Sequence, residues 1–257
     1  MTAFTLKIIA LVAMLIDHTG AVFPEYAPFE FRLIGRLTFP IFVYLIAEGF
    51  RYTRSPKKFL ARLLAFAIIS EPFYDWAINR THNIRHDLSP WHIDFFSRTN
   101  IFYTLFLGGL AIFAFQQMHK TLPQVEESSP KERKEAYVFV GIVTALATLG
   151  LMLLADVLGT DYGGYGVLFI LLMYLIKPKG PRLAVSAAMS ILQHRWMFPY
   201  ILSGALETRF YWFFPATLLA IPLIALYNSK RGPSMKWLFY IAYPAHLGVL
   251  AIIAYFI

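Results

Sequence analysis

The sequence predicts an all-α, polytopic membrane bundle of about nine spans, and three observations carry that prediction. The chain has 257 residues, of which 58% are hydrophobic, with 24 Phe, 15 Tyr and only 15% charged residues. Soluble domains average about 25% charged. The apolar residues are gathered into long runs bounded by Pro, Gly or charge, which favours helices over the weak alternation of a membrane barrel. The Lys and Arg residues are shared unevenly between alternate connecting loops, as in a chain threaded through a bilayer.

The runs fall near 5–24, 34–50, 59–77, 100–117, 137–157, 164–176, 183–206, 210–227 and 237–257. Each approaches the roughly 20 residues that cross a hydrocarbon core, the second and sixth being short. No period of 20–50 residues repeats, so a solenoid is not supported. Lys7 ahead of an apolar run raises a signal peptide, but no A-x-A-like site follows and the run holds Asp17 and His18. It reads as a retained first span. The whole chain, 1–257, is expected to form a single membrane domain.

Loop charge sets the expected orientation. Arg51, Arg54, Lys57 and Lys58 follow the second span, and Lys120, Lys131, Arg133 and Lys134 follow the fourth. Lys177, Lys179 and Arg182 follow the sixth, and Lys230, Arg231 and Lys236 follow the eighth. The alternate loops offer only Arg32, Arg80, Arg85, Arg98 and Arg209. The basic set should face the cytoplasm, with the N-terminus inside and the C-terminus outside. A bacterial inner membrane is the expected location. The net charge of +8 is therefore a topology device spread between spans, and not a nucleic-acid face.

The first span carries the main functional signal. Ionisable groups inside hydrocarbon cost roughly 2.5–3.5 kcal/mol each on insertion scales, so Asp17 and His18 should face a polar site. At 1.5 Å rise per residue His18 falls in the outer half. Arg36, the i,i+4 pair Glu71 and Asp75, and Asn100 are expected at similar depth. Tyr243 and His246 lie in the middle of the last span, and Glu48 sits one turn before Arg51 near the inner end. A mixed-sign cluster is physically reasonable because buried charges persist when paired. Its blander reading is a structural polar seam in which Glu71 and Asp75 merely neutralise Arg36.

Other features read as structural. His82, His86 and His92, with Asp87 and Asp94, have metal-ligand chemistry, but they lie in a Pro-containing loop with no helical face to fix them, so no metal is expected. The stretch 119–135, with Glu126, Glu127, Lys131, Glu132, Arg133 and Lys134, reads as a solvated linker. Without cysteine there is no thiolate ligand and no cysteine nucleophile. No P-loop, dinucleotide fingerprint or nucleophile elbow occurs.

Seven stretches in order resemble the TraX family of bacterial membrane acetyltransferases, named for pilin N-acetylation. They are LKIIALVAMLIDHTG (6–20), RLIGRLTFPIFVYLIAEGFRYTR (32–54), ISEPF (69–73), NIFYTLFLG (100–108), DYGGYGVLFIL (161–171), LYNSKRG (226–232) and FYIAYPAHL (239–247). The resemblance implies acetyl transfer from cytoplasmic acetyl-CoA to an acceptor on the outer side, a pilin-like peptide or a glycan. The family is similar to a wider group of transmembrane acyltransferases with a histidine in an early span. By that likeness His18 is the general base and Asp17 its neighbour. Arg36, Glu48, Asn100, Asp161, Tyr162, Tyr243 and His246 are the polar positions inside the matching stretches. The loop 79–98 and the segment 183–206 carry no part of the likeness, so His82, His86, His92 and His194 inherit no role.

The chemistry is consistent with that implication. An attacking amine or hydroxyl must lose a proton, and imidazole, with an ordinary pKa near 6.5, can take it. Neighbouring helical side chains point about 100° apart, so Glu71 or Asp75 is expected to orient His18 in place of Asp17. Asn100, Arg36 or Tyr243 could stabilise a developing oxyanion. Arg51, Arg54, Lys57 and Lys58 could hold the CoA phosphates. A proton-coupled transporter would also place a His/carboxylate cluster at mid-membrane. A purely structural membrane protein would have no reason to bury these groups.

Overall fold

The computed structural model describes residues 1–79, 98–120, 122 and 129–256. The candidate residues His82, His86, His92, Asp87 and Asp94 lie outside them. The described chain is helical. In order the helices are α1 (Ala3–Val22), α2 (Glu30–Gly35), α3 (Thr38–Tyr52), α4 (Pro56–Tyr74), α5 (Ile101–His119) and α6 (Pro130–Val157). There follow α7 (Gly163–Leu175), α8 (Lys179–Leu192), α9 (Phe198–Leu202), α10 (Phe213–Leu218), α11 (Ala220–Ala225) and α12 (Lys236–Phe256).

Six segments are long and apolar enough to cross a membrane: Ala3–Val22, Glu30–Tyr52, Ile101–His119, Pro130–Val157, Thr208–Ala225 and Trp237–Phe256. Gly163–Leu175 is apolar but shorter. The all-helical, multi-pass class is therefore present, with three of the nine expected runs departing from simple spans. The run at 59–77 starts among charges and contains Pro72, followed by a π-helical turn, Asp75–Asn79. A proline inside a helix removes one backbone bond and clashes with the preceding turn, which favours such a widening. The run at 183–206 stops at Leu192 and continues as a 3₁₀ turn and the short α9. The run at 164–176 is α7 itself, too short to span unaided.

The described residues group into two compact units. The first draws on Met1–Leu45, Ile68–Asp94 and Ile176–Ile257. Within it α1 packs on α2 and α12, the Asp75–Asn79 turn packs on α1 and α12, and α8 packs on α10 and α11. Thr2 caps α1 by accepting from the Thr5 amide at 3.2 Å, the usual task of a threonine at that position.

The second unit draws on Ile46–Ala67 and Phe95–Leu175. Here α5, α6 and α7 pack on one another. Gly108 and Gly109 make this possible, because a Cβ on Gly108 would lie 2.5 Å from Ile170 and one on Gly109 2.8 Å from Phe50. Ser129 and Glu132 form a capping box at the start of α6, with Pro130 in its first turn. Val138, Phe139, Ile142, Leu146, Leu149 and Leu153 line an exposed apolar face of α6, suited to lipid. Asp156 accepts from the Gly164 amide at 2.7 Å and so caps α7.

Candidate functional site

Two side-chain clusters meet on α1, both inside the first unit. One belongs to Asp17. Its Oδ1 lies 2.8 Å from Arg32 Nη1 and 3.0 Å from Arg36 Nη2. Arg32 also donates to the Asp17 carbonyl at 3.0 Å, and Arg36 Nε donates to the Arg32 carbonyl at 2.9 Å. The fork geometry of arginine suits such multiple bonding. Asp17 is thus a counter-charge of both Arg32 and Arg36.

Gly35 makes that cluster possible. A Cβ there would fall 2.1 Å from Asp17 Cγ and 2.2 Å from its Cβ. No rotamer of a larger residue avoids both atoms while α2 stays in place. Gly35→Ala is expected to destabilise the protein at the upper end of the roughly 1–3 kcal/mol range for overpacking. A thermal melt of the purified protein checks this; an unchanged Tm would show that α2 can shift without cost.

The second cluster is aromatic. His18 Nδ1 lies 2.6 Å from His246 Nε2, and the two rings stack with centroids 4.9 Å apart. Tyr243 sets its ring edge-on to both, at 5.9 Å from His18 and 5.6 Å from His246. His246 Nδ1 lies 2.7 Å from the Ala242 carbonyl oxygen. A carbonyl oxygen only accepts, so His246 carries its proton on Nδ1. In the neutral ring its Nε2 is then an acceptor, and His18 must donate to it from Nδ1. This leaves the lone pair of His18 on Nε2, the tautomer a general base requires.

The orienting partner of His18 is therefore His246, and not Glu71 or Asp75 as expected. Both carboxylates are buried, and Asp75 accepts from the Asn79 side chain one turn on. Their segment still approaches the site, because the Asp75–Asn79 turn packs on the two helices that carry His18 and His246.

A third group adjoins the Asp17 cluster. Arg36 stands 5.0 Å over the ring of Phe213, a favourable cation–π arrangement. Phe213 stacks on Phe29 at 5.5 Å, and the ring of His194 lies 5.6 Å from Phe213. His194 Nε2 donates to Thr217 Oγ1 at 2.6 Å, since that hydroxyl already donates to the Phe213 carbonyl at 2.8 Å. Nothing in the spacing of the sequence connects His194 or Arg32 with Asp17. By sequence alone Arg32 reads only as a loop charge.

The remaining site candidates sit in the second unit. Asn100 caps α5, its Oδ1 accepting from the Phe102 amide at 3.0 Å and its Nδ2 donating to the Ala67 carbonyl at 2.8 Å. Both bonds tie the Asn100 side chain to backbone at the start of α5. Arg51 donates to the Met173 and Tyr174 carbonyls at 3.2 and 2.7 Å, and lies 3.3 Å from Glu48. It satisfies the last turn of α7, where carbonyls have no helical partner. Arg51 and Glu48 thus pair beside the last turn of α7, and Arg51 closes it. Arg54, Lys57 and Lys58 are exposed. Among the described residues no group of three or more His, Cys, Asp or Glu side chains could hold a metal.

These features define a multi-pass membrane protein with paired histidines and an arginine-clamped aspartate on its first helix. The family described as TraX protein matches residues 3–254, and the chain belongs to that family. It is also similar to a protein described as probable fimbrial assembly protein FimC, serogroup H1, of Dichelobacter nodosus. The two are 31% identical over 261 residues, covering 97% of this chain and 94% of that protein. No solved structure matches.

Proposed function

We propose that this protein is a membrane acetyltransferase that moves an acetyl group from acetyl-CoA to an amine or hydroxyl, the N-terminus of a pilin-like peptide being the favoured acceptor. The observation that carries the reading is the His18–His246 pair. It fixes one imidazole by a second, which is fixed in turn by a backbone carbonyl, and so holds a lone pair on His18 Nε2. Membership of the TraX family supports acetyl transfer, and the fimbrial relative supports a pilin-like acceptor.

In the reaction His18 Nε2 takes the proton of the acceptor as its nitrogen or oxygen attacks the thioester carbon. The C–S bond breaks, and the proton passes from His18 to the departing thiolate. Histidine 246 stabilises the imidazolium by accepting from His18 Nδ1, the task a carboxylate performs in acyl-transfer triads. Arg36, held by Asp17, is the candidate for the oxyanion. The loop charges support entry of acetyl-CoA from the cytoplasmic side.

The test is direct transfer. Purified protein in nanodiscs, given radiolabelled acetyl-CoA and a peptide copying a mature pilin N-terminus, is expected to label the peptide. The same peptide with a blocked α-amine should stay unlabelled. No transfer to either peptide, with folded protein and proton flux driven by a solute gradient in proteoliposomes, would replace the enzyme by a transporter.

A further inference from the structure

Helix α8 has inverted polarity. Arg182, Ser186, Met189, Ser190 and Gln193 stand at i, i+4, i+7, i+8 and i+11, one face of a helix. All five are buried. Ala184, Ala188, Ile191 and Leu192 are exposed instead. A helix on a soluble domain buries its apolar face. This one buries its polar face, as a membrane helix does when it borders a polar interior.

The buried face is not internally satisfied. Ser186 and Ser190 are 0% exposed and Gln193 is 8% exposed. The Oγ atoms of both serines and Oε1 of Gln193 have no hydrogen-bond partner among the described residues. A buried polar atom left unpaired loses the hydrogen bond it would make in water. Three on one face call for a ligand that brings its own donors and acceptors.

The two ends of the face differ chemically. At the start of α8, buried Arg182 stands 3.8 Å over the ring of Tyr44, with Lys177 and Lys179 just before it. The helix N-terminus adds its own positive end. At the far end stands His194, whose neighbour Phe213 carries Arg36 of the Asp17 cluster. Arg182 and Leu192, the last residue of α8, are separated by about 15 Å along the helix axis, and His194 follows in the turn beyond.

We propose that this face of α8 is the groove for the extended, amide-bearing pantetheine arm of the thioester donor. Its phosphates lie at Arg182, its amides bond Ser186, Ser190 and Gln193, and its thioester reaches the end marked by His194 and Arg36. The assignment rests on the acetyltransferase reading above. An extended peptide would also offer amides to the serines, but the cationic entrance favours a chain with an anionic head.

Wild-type protein, the S186A/S190A double variant and Q193L, each purified in nanodiscs, are to be titrated calorimetrically with CoA and with pantetheine. CoA and pantetheine are expected to bind the wild type, and both variants to bind each about tenfold more weakly without loss of thermal stability. Equal CoA affinity in wild type and both variants overturns the groove and leaves the acetyltransferase reading standing. Failure of the wild type to bind CoA rejects both. Unchanged CoA affinity with weakened binding of the pilin-like peptide overturns the assignment and gives the face to the acceptor. Q193L keeps the test decisive should the double serine variant fold poorly.

Discussion

Alanine at position 18 is expected to lower acetyl transfer by about 10²- to 10⁴-fold, the contribution typical of a positioned general base. The protein should still insert and fold, because His18 is only partly buried and bonds one other side chain. His246→Ala should be the milder lesion. It removes the acceptor that holds His18 in the Nδ1–H tautomer but leaves the base itself. His246→Asn can still accept at that place through its amide oxygen, so it should retain more activity than His246→Ala. Transfer from radiolabelled acetyl-CoA, measured beside a thermal melt of each variant, separates chemistry from folding. Full transfer by folded His18→Ala protein would remove His18 from the mechanism. Equal rates for His246→Ala and wild type would remove the proposed pairing but not the base.

Much of the fold was legible because hydrophobic run length in a bilayer is a strong constraint. The spans at 5–24, 100–117 and 237–257 correspond closely to α1, α5 and α12. The segments at 59–77 and 183–206 were harder, since a membrane-length run can contain a proline, a π-turn or a 3₁₀ break without losing its hydropathy. In the site, Asp17, His18, Arg36, Tyr243 and His246 stood out as polar groups in apolar surroundings, and the structure brings all five into the first unit. Their pairing was not legible. His18 and His246 are 228 positions apart, and no local pattern encodes a contact made by the packing of α1 on α12. Nor does the place of a cation in the sequence show which helix end it reaches. Arg51 looked like a phosphate ligand by its charge and loop, yet its fork closes the last turn of α7.

Removing the carboxylate of Asp17 is expected to destabilise the protein strongly. Asp17→Ala removes the carboxylate oxygen that both Arg32 and Arg36 touch. Breaking a buried pair by deleting one partner costs about 3–5 kcal/mol. Here the side chains keep 13%, 15% and 29% exposure for Asp17, Arg36 and Arg32, so solvent screening reduces the effect to about 2–3 kcal/mol. The origin of the loss can be isolated by a second change. If it is uncompensated positive charge, D17A/R36M should recover most of the stability, since methionine can keep the contact with Phe213 that the guanidinium makes at 5.0 Å. Acetyl transfer should stay low in both variants, because the double change restores packing without restoring a cation for the oxyanion. Thermal melts and transfer assays on the wild type, D17A, R36M and D17A/R36M complete the cycle. Recovery of transfer together with stability would mean that Arg36 only supports the fold. A double variant no more stable than D17A would mean that Asp17 acts by holding α2 against α1, and not by balancing charge.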